Sequence, residues 1–157
     1  MKTRDHAGVF IPPPLLFLLP LVVARMLNSR RPWPLVDGHA MALWLLGLVL
    51  VSAGVAVGLA GVAAFRDART TVLPAGRPTT AIVQRGPYRF TRNPMYLAMA
   101  LAYTGLALLL NTVWALALLP LVLAVIDRAV IRREERYLTA KFGRPYREYC
   151  ARVRRWL

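Results

Sequence analysis

Three stretches carry no formally charged side chain, residues 10–24, 40–65 and 93–126, and the charges of this 157-residue chain cluster between them. A helix needs about 20 apolar residues to cross the core of a bilayer, so the second stretch, 26 residues long, is a span by itself. As one helix it would be about 39 Å long at ~1.5 Å per residue and would tilt or protrude. The third stretch, 34 residues, is too long for one crossing. A helical hairpin resolves it: Met95–Leu110 goes out, Asn111-Thr112 turns, and Val113–Ile131 returns, with Pro120 as a kink and Asp127 and Arg128 near the end.

The first stretch is interrupted by Pro12, Pro13, Pro14 and Pro20 and is cut by Arg25. Its charged start (Lys2, Arg4) and apolar middle also fit a signal peptide, against which stand the internal prolines and the lack of a small-x-small site followed by polar sequence. The expected fold is therefore all-α: one polytopic membrane domain over 1–157, with about four spans (10–27, 40–65, 95–110, 113–131) and surface segments at 66–93 and 132–157. No internal repeat or second domain is visible.

Apolar residues make up 57% of the chain while Lys and Arg outnumber Asp and Glu by 21 to 7. Because the charges lie between apolar runs, the net charge of +14 reads as basic loops and excludes a nucleic-acid footprint. Four spans put residues 1–9, 66–93 and 132–157 on one side with 17 basic residues, against Arg30 and Arg31 opposite. That asymmetry makes both termini cytoplasmic, as in a bacterial inner-membrane protein, and accounts for most arginines as topological and lipid-facing. A single cysteine, Cys150, and two histidines, His6 and His39, supply neither a disulfide pair nor a metal cluster.

Gly47, Gly54 and Gly61 recur every seven residues, and Gly54 with Gly58 forms a GxxxG. This stripe suits close helix packing, either against Ala98, Ala102 and Gly105 or in self-association. Two surface segments carry more than a connection needs. In the first, Thr70–Pro74 and Pro78–Val83 lead to Arg85-Gly86-Pro87-Tyr88-Arg89-Phe90-Thr91-Arg92-Asn93-Pro94-Met95-Tyr96. Its prolines and Gly86 fix backbone directions, and Pro94 opens the third span, where free N–H groups beside Arg92 and Asn93 suit a carboxylate or phosphate. An interfacial anchor of Tyr and Arg is the plainer account. The second segment, Asp127–Leu138, continues the fourth helix with Arg128, Arg132 and Glu135 on one face and Asp127, Ile131 and Glu134 on another. A solvated, salt-bridged helix end would look the same. Phe142-Gly143 then ends the helix, and Tyr146, Tyr149 and Trp156 mark a short basic helix suited to an anionic lipid surface. No GxGxxG after a strand, Walker loop, HExxH or hydrolase triad is present, so a cofactor would be held by helices and loops at the membrane surface.

The stretches RGPYRFTRNPMYLAMAL and REERYLTAKFGRPYREYC, in this order around a hairpin, resemble the isoprenylcysteine carboxyl methyltransferase family and its prokaryotic relatives, which are similar in turn to the phospholipid N-methyltransferases. The resemblance covers about Thr70–Trp156. It implies methyl transfer from S-adenosyl-L-methionine, with the cofactor entering from the cytoplasm and a lipophilic small-molecule substrate from the bilayer. Carried over, it implies cofactor binding by Gly86, Tyr88, Arg92, Asn93, Pro94, Tyr96, Glu134, Glu135 and Tyr146, with Phe142, Gly143 and Tyr149 completing the second motif. Arg128 or Arg133 would steer a carboxylate acceptor by bidentate hydrogen bonds, and Glu135 would deprotonate an amine acceptor.

The family's motif histidine is Asn93 here, which retains hydrogen bonding but does not titrate near neutrality. Arg132 and Arg133 stand where further acids occur in the eukaryotic enzymes, which leaves the substrate class open. Two other readings compete. Arg147, Tyr149 and Cys150 resemble the C-terminal pattern of NADPH-dependent membrane sterol reductases, which are larger. A non-catalytic protein with a lipid-binding basic tail is the other.

Overall fold

The computed structural model describes residues 12–38, 40–68 and 80–157, and every element among them is helical. In chain order these are α1 (Pro13–Arg30), α2 (Met41–Asp67), a 3-10 turn (Gly86–Arg89), α3 (Pro94–Leu109), α4 (Val113–Val125), a π-helical turn (Ile126–Ile131), α5 (Arg132–Phe142) and α6 (Arg144–Arg152). Prolines sit in the first turns of α1, α3 and α6, where their missing N–H costs nothing. Pro20 and Pro120 lie inside helices that continue past them.

The expected hairpin is present. α3 ends at Leu109, Asn111 takes a left-handed conformation at φ 47°, and α4 starts at Val113. The Asn111 side chain also ties this turn to the α1–α2 connection. Its Oδ1 accepts from the N–H of Leu35 and Val36, and its Nδ2 donates to the Val36 carbonyl at 3.0 Å. Trp33 and Trp114 pack edge to face alongside. The four long helices thus alternate in direction, and Pro12, the end of α2 at Asp67, the 3-10 turn with Asn93, and the tail lie at one end.

Two of these helices, not the expected four, are long and apolar enough to cross a membrane: Met41–Asp67, with mean hydropathy 2.4, and the continuous Val113–Phe142, with 2.1. α3 has 16 residues, about 24 Å at ~1.5 Å per residue. α1 runs on through Arg25 to Arg30, and Pro13, Pro14, Pro20, Arg25, Asn28 and Arg30 dilute its leucines. Residues 10 and 11 of the expected first span lie outside the described residues. Leu18, Leu19 and Val22 of α1 and Trp44, Leu45, Val49 and Leu59 of α2 are exposed. Apolar faces of this size fit membrane association.

α3 is the hub of the bundle, with α2 on one side and α1 and α4 on the other. The glycine stripe makes the first contact possible. A Cβ on Gly54 would lie 2.6 Å from the Ala98 carbonyl oxygen, and one on Gly105 2.6 Å from that of Gly47. Backbones this close leave no room for a side chain. The stripe that could have served self-association is thus occupied by α3 of the same chain. On the other side Phe17, Leu21, Tyr103, Ala115, Val122 and Ile126 form the core, with the Tyr103 hydroxyl donating to the Ala115 carbonyl at 2.9 Å.

α6 departs from the expected lipid-facing helix. Gly143, at φ 60°, ends α5 and turns the chain back, so Tyr146 and Tyr149 are buried at 4% exposure while Arg144, Arg147 and Arg152 face outward.

Candidate functional site

The two separated motifs meet where α3 begins. Gly86 has φ 57°, a conformation that favours glycine, and the 3-10 turn it opens packs on α2 near Ala60 and Ala64 and buries Tyr88. The Tyr149 hydroxyl donates to the Tyr88 carbonyl at 2.8 Å, and Phe65 packs edge to face on the Tyr88 ring. Thr91, Arg92 and Asn93 then run beside the segment that follows α6. The Arg92 N–H donates to the Arg154 carbonyl, and both the Thr91 hydroxyl (3.1 Å) and Asn93 Nδ2 (2.9 Å) donate to the Arg155 carbonyl. Asn93 thus holds the tail against the start of α3, a role that needs a donor and no titration.

Just beyond, the two adjacent glutamates of α5 take separate partners. Glu134 Oε1 accepts from the Tyr96 hydroxyl at 2.8 Å. Glu135 Oε1 pairs with Arg92 Nη1 at 3.0 Å, and both its oxygens accept from Arg155, at 3.1 and 2.6 Å. Arg155 continues to Asp127 Oδ1 at 3.1 Å, whose other oxygen accepts from Arg132 at 3.0 Å. A bidentate Arg–carboxylate pair of this kind fixes geometry as well as charge.

Electrostatics separates the glutamates further. Both lie beyond the apolar part of Val113–Phe142, which ends at Ile126. Burial lifts the Glu134 carboxyl from 4.5 to about 7; the Tyr96 hydrogen bond opposes this and the neighbouring Glu135 charge adds to it. Burial likewise raises Tyr88, Tyr146 and Tyr149. Arg155 is raised chiefly by its hydrogen bonds to Glu135.

Two cavities adjoin this network. A cleft of about 600 Å³ is lined by Arg128, Arg132, Glu135, Arg136, Thr139, Ala140 and Arg155. A pocket of about 70 Å³ lies among Phe65, Val83, Tyr88, Arg92, Leu138, Tyr146 and Tyr149. Glu135 faces the first and Arg92 the second, so their ion pair is part of the wall between them. The Arg92 Nε is buried without a hydrogen-bond partner.

Of the expected site residues, Gly86, Tyr88, Arg92, Asn93, Pro94, Tyr96, Glu134, Glu135 and Tyr146 lie together in this layer. Arg128 lines the cleft beside it, with Arg132 and Glu135 on the shared face expected for them. Arg133 is exposed and lines neither cavity. Thr70–Pro74, Pro78 and Thr79 lie outside the described residues, as do His6 and His39. Sequence reasoning missed Arg155, one of several arginines in a basic tail, and gave Asp127 no role, although it is the first charge after 34 uncharged residues.

A family model described as phospholipid methyltransferase matches residues 42–145. Across 96% of its length the chain is 30% identical to the cobalt-zinc-cadmium resistance protein CzcN of Cupriavidus metallidurans. It is 30% identical over 69% of its length to the nickel-cobalt-cadmium resistance protein NccN of Alcaligenes xylosoxydans. The chain spans 62% and 50% of the length of these two relatives. An uncharacterized protein of Haemophilus influenzae is 41% identical over 40% of the chain and is covered in full. No solved structure matches.

Proposed function

The chain belongs to the phospholipid methyltransferase family, and on that premise we propose that it transfers a methyl group from S-adenosyl-L-methionine to a lipophilic or small acceptor, a carboxylate or an amine. The reaction would take place where the bacterial inner membrane meets the cytoplasm. The observation that carries this reading is the convergence of the two motifs through Tyr96–Glu134 and Arg92–Glu135.

The residues present fit the methyl donor. Its ammonium and ribose hydroxyls call for carboxylates, its carboxylate for a guanidinium, and its adenine and sulfonium for aromatic faces. Glu134 and Glu135, Arg92, and Tyr88 with Tyr146 supply these, and the bare Nε of Arg92 leaves one buried donor for a ligand. When bound, the donor supplies an electrophilic methyl carbon, so the protein's task is positioning and the exclusion of water.

The glutamates divide that task. Glu135, held by two guanidinium groups, anchors the site instead of serving as the proton acceptor expected from the sequence. Glu134 changes protonation near neutral pH and is the group suited to take a proton from an ammonium acceptor. A carboxylate acceptor, the isoprenylcysteine-like form of the reaction, is ionised already and would be steered by Arg128 in the cleft, not by Arg133. The names of the two relatives suggest a setting in metal resistance. Among the described residues no group of three or more His, Cys, Asp or Glu side chains could hold a metal ion.

The test is isothermal titration of the detergent-purified protein with S-adenosylhomocysteine, with NADPH in parallel. Micromolar binding of the first, lost in Arg92→Ala, supports the reading. Folded protein that binds only NADPH, or neither, overturns it in favour of the reductase or of a non-catalytic lipid-binding protein.

A further inference from the structure

The outward face of α4 and α5 changes character along its length. Leu121 and Val125 are exposed at 62% and 39%, and the exposed positions that follow on this side are Arg128, Arg132 and Arg136. Spaced four residues apart, Arg128, Arg132 and Arg136 fall on one side of the continuous helix, and all three line the cleft of about 600 Å³.

The arginines there exceed the acids. Asp127 pairs with Arg132 and Arg155, and Glu135 with Arg92 and Arg155. Arg136 uses its Nε on the Arg132 carbonyl, and the Arg128 guanidinium pairs with no carboxylate among the described residues. Two guanidinium groups therefore line the cleft in excess, and Arg128 follows the exposed Val125 by less than one turn of the same helix.

We infer that this cleft binds the phosphate of an anionic membrane lipid, held by Arg128 and Arg136, with the acyl chains lying along Leu121 and Val125. Guanidinium groups match phosphate oxygens in pairs, and these apolar side chains select an amphiphile over a soluble anion. The site shares Arg128 with the proposed steering of a carboxylate acceptor but needs no methyl donor, so loss of S-adenosylhomocysteine binding leaves it standing.

Native mass spectrometry of the detergent-purified full chain tests it, with phosphatidylglycerol, phosphatidylcholine or inorganic phosphate added. One phosphatidylglycerol should bind in preference to phosphatidylcholine. At ~1 kcal/mol per arginine near an anionic surface, the double variant Arg128→Gln, Arg136→Gln should bind it about thirty-fold more weakly. Lys141→Gln with Arg147→Gln, which removes two exposed charges outside the cleft, should change it less than threefold. Equal loss in that control, equal binding of the two lipids, or displacement of the lipid by equimolar phosphate overturns the assignment. Should the cleft variant fail to fold, the lipid preference of the unaltered protein and its weakening by salt decide the matter.

Discussion

Replacing Glu134 by Gln separates the charge of this carboxyl from its hydrogen bond, since the amide oxygen still accepts from the Tyr96 hydroxyl. The folded-state carboxyl titrates at about 7 against 4.5 ordinarily, and at ~1.4 kcal/mol per tenfold change in proton affinity this amounts to about 3 kcal/mol. An acid whose affinity for protons rises on folding stabilises the fold in its protonated form. That stability is complete below pH 4.5 and declines as pH climbs through 7. About 2.5 kcal/mol of it is lost between pH 5 and pH 8, so the protein should melt at a higher temperature at pH 5 than at pH 8, by roughly 5–10 °C for a chain of this size. Glu134→Gln should flatten the profile and melt above the unaltered protein at pH 8. Thermal unfolding in detergent, followed by circular dichroism from pH 5 to 8.5, measures both. A flat profile for the unaltered protein, or an undiminished slope in the variant, would refute the argument that burial dominates this carboxyl.

Three further outcomes follow from the packing and the ion pairs. Gly105→Val places a side chain against the Gly47 carbonyl and the Val51 backbone, and should cost about 1–3 kcal/mol in a denaturation series, whereas Gly58→Ala, whose Cβ would meet Ala98 at an ordinary 3.6 Å, should cost less. Arg155→Ala removes the bidentate pair to Glu135 and the link to Asp127; with its side chain about one-third exposed, the loss should be roughly 1–2 kcal/mol. Asn93→His keeps a donor for the Arg155 carbonyl and should hold stability within about 1 kcal/mol, while Asn93→Leu leaves that carbonyl one donor short and should cost about 1–3 kcal/mol.

The hairpin turn was legible because an apolar run too long for one crossing contained a single polar pair, Asn111-Thr112, and the α2–α3 contact because small residues recurred at matching intervals on both helices. What sequence left open depended on partners far apart in the chain. Glu134 and Glu135 are neighbours of identical chemistry, and only the folded arrangement gives one a tyrosine and the other two arginines. Arg155 looks like Arg152 and Arg154 until the tail is seen running beside Thr91–Asn93. The inward turn of Tyr146 and Tyr149 was hidden for a different reason: a short helix with one aromatic and one basic face suits a lipid surface and a protein interior equally. The number of spans was overestimated because absence of charge was weighed above helix length and above the prolines of α1.

The mismatch in length between α2 and α3 has a consequence for the depth at which the reaction would occur. Gly61 of α2 lies level with Met95 at the start of α3, and α2 continues to Asp67, six residues or about 9 Å further. If α2 spans the bilayer, the start of α3 at Met95 and Tyr96 would lie about that far inside the level at which α2 ends. An acceptor tethered to a hydrocarbon tail could present its reactive atom there without being pulled from the membrane, and each methylene that stays in place avoids a cost of ~0.8 kcal/mol.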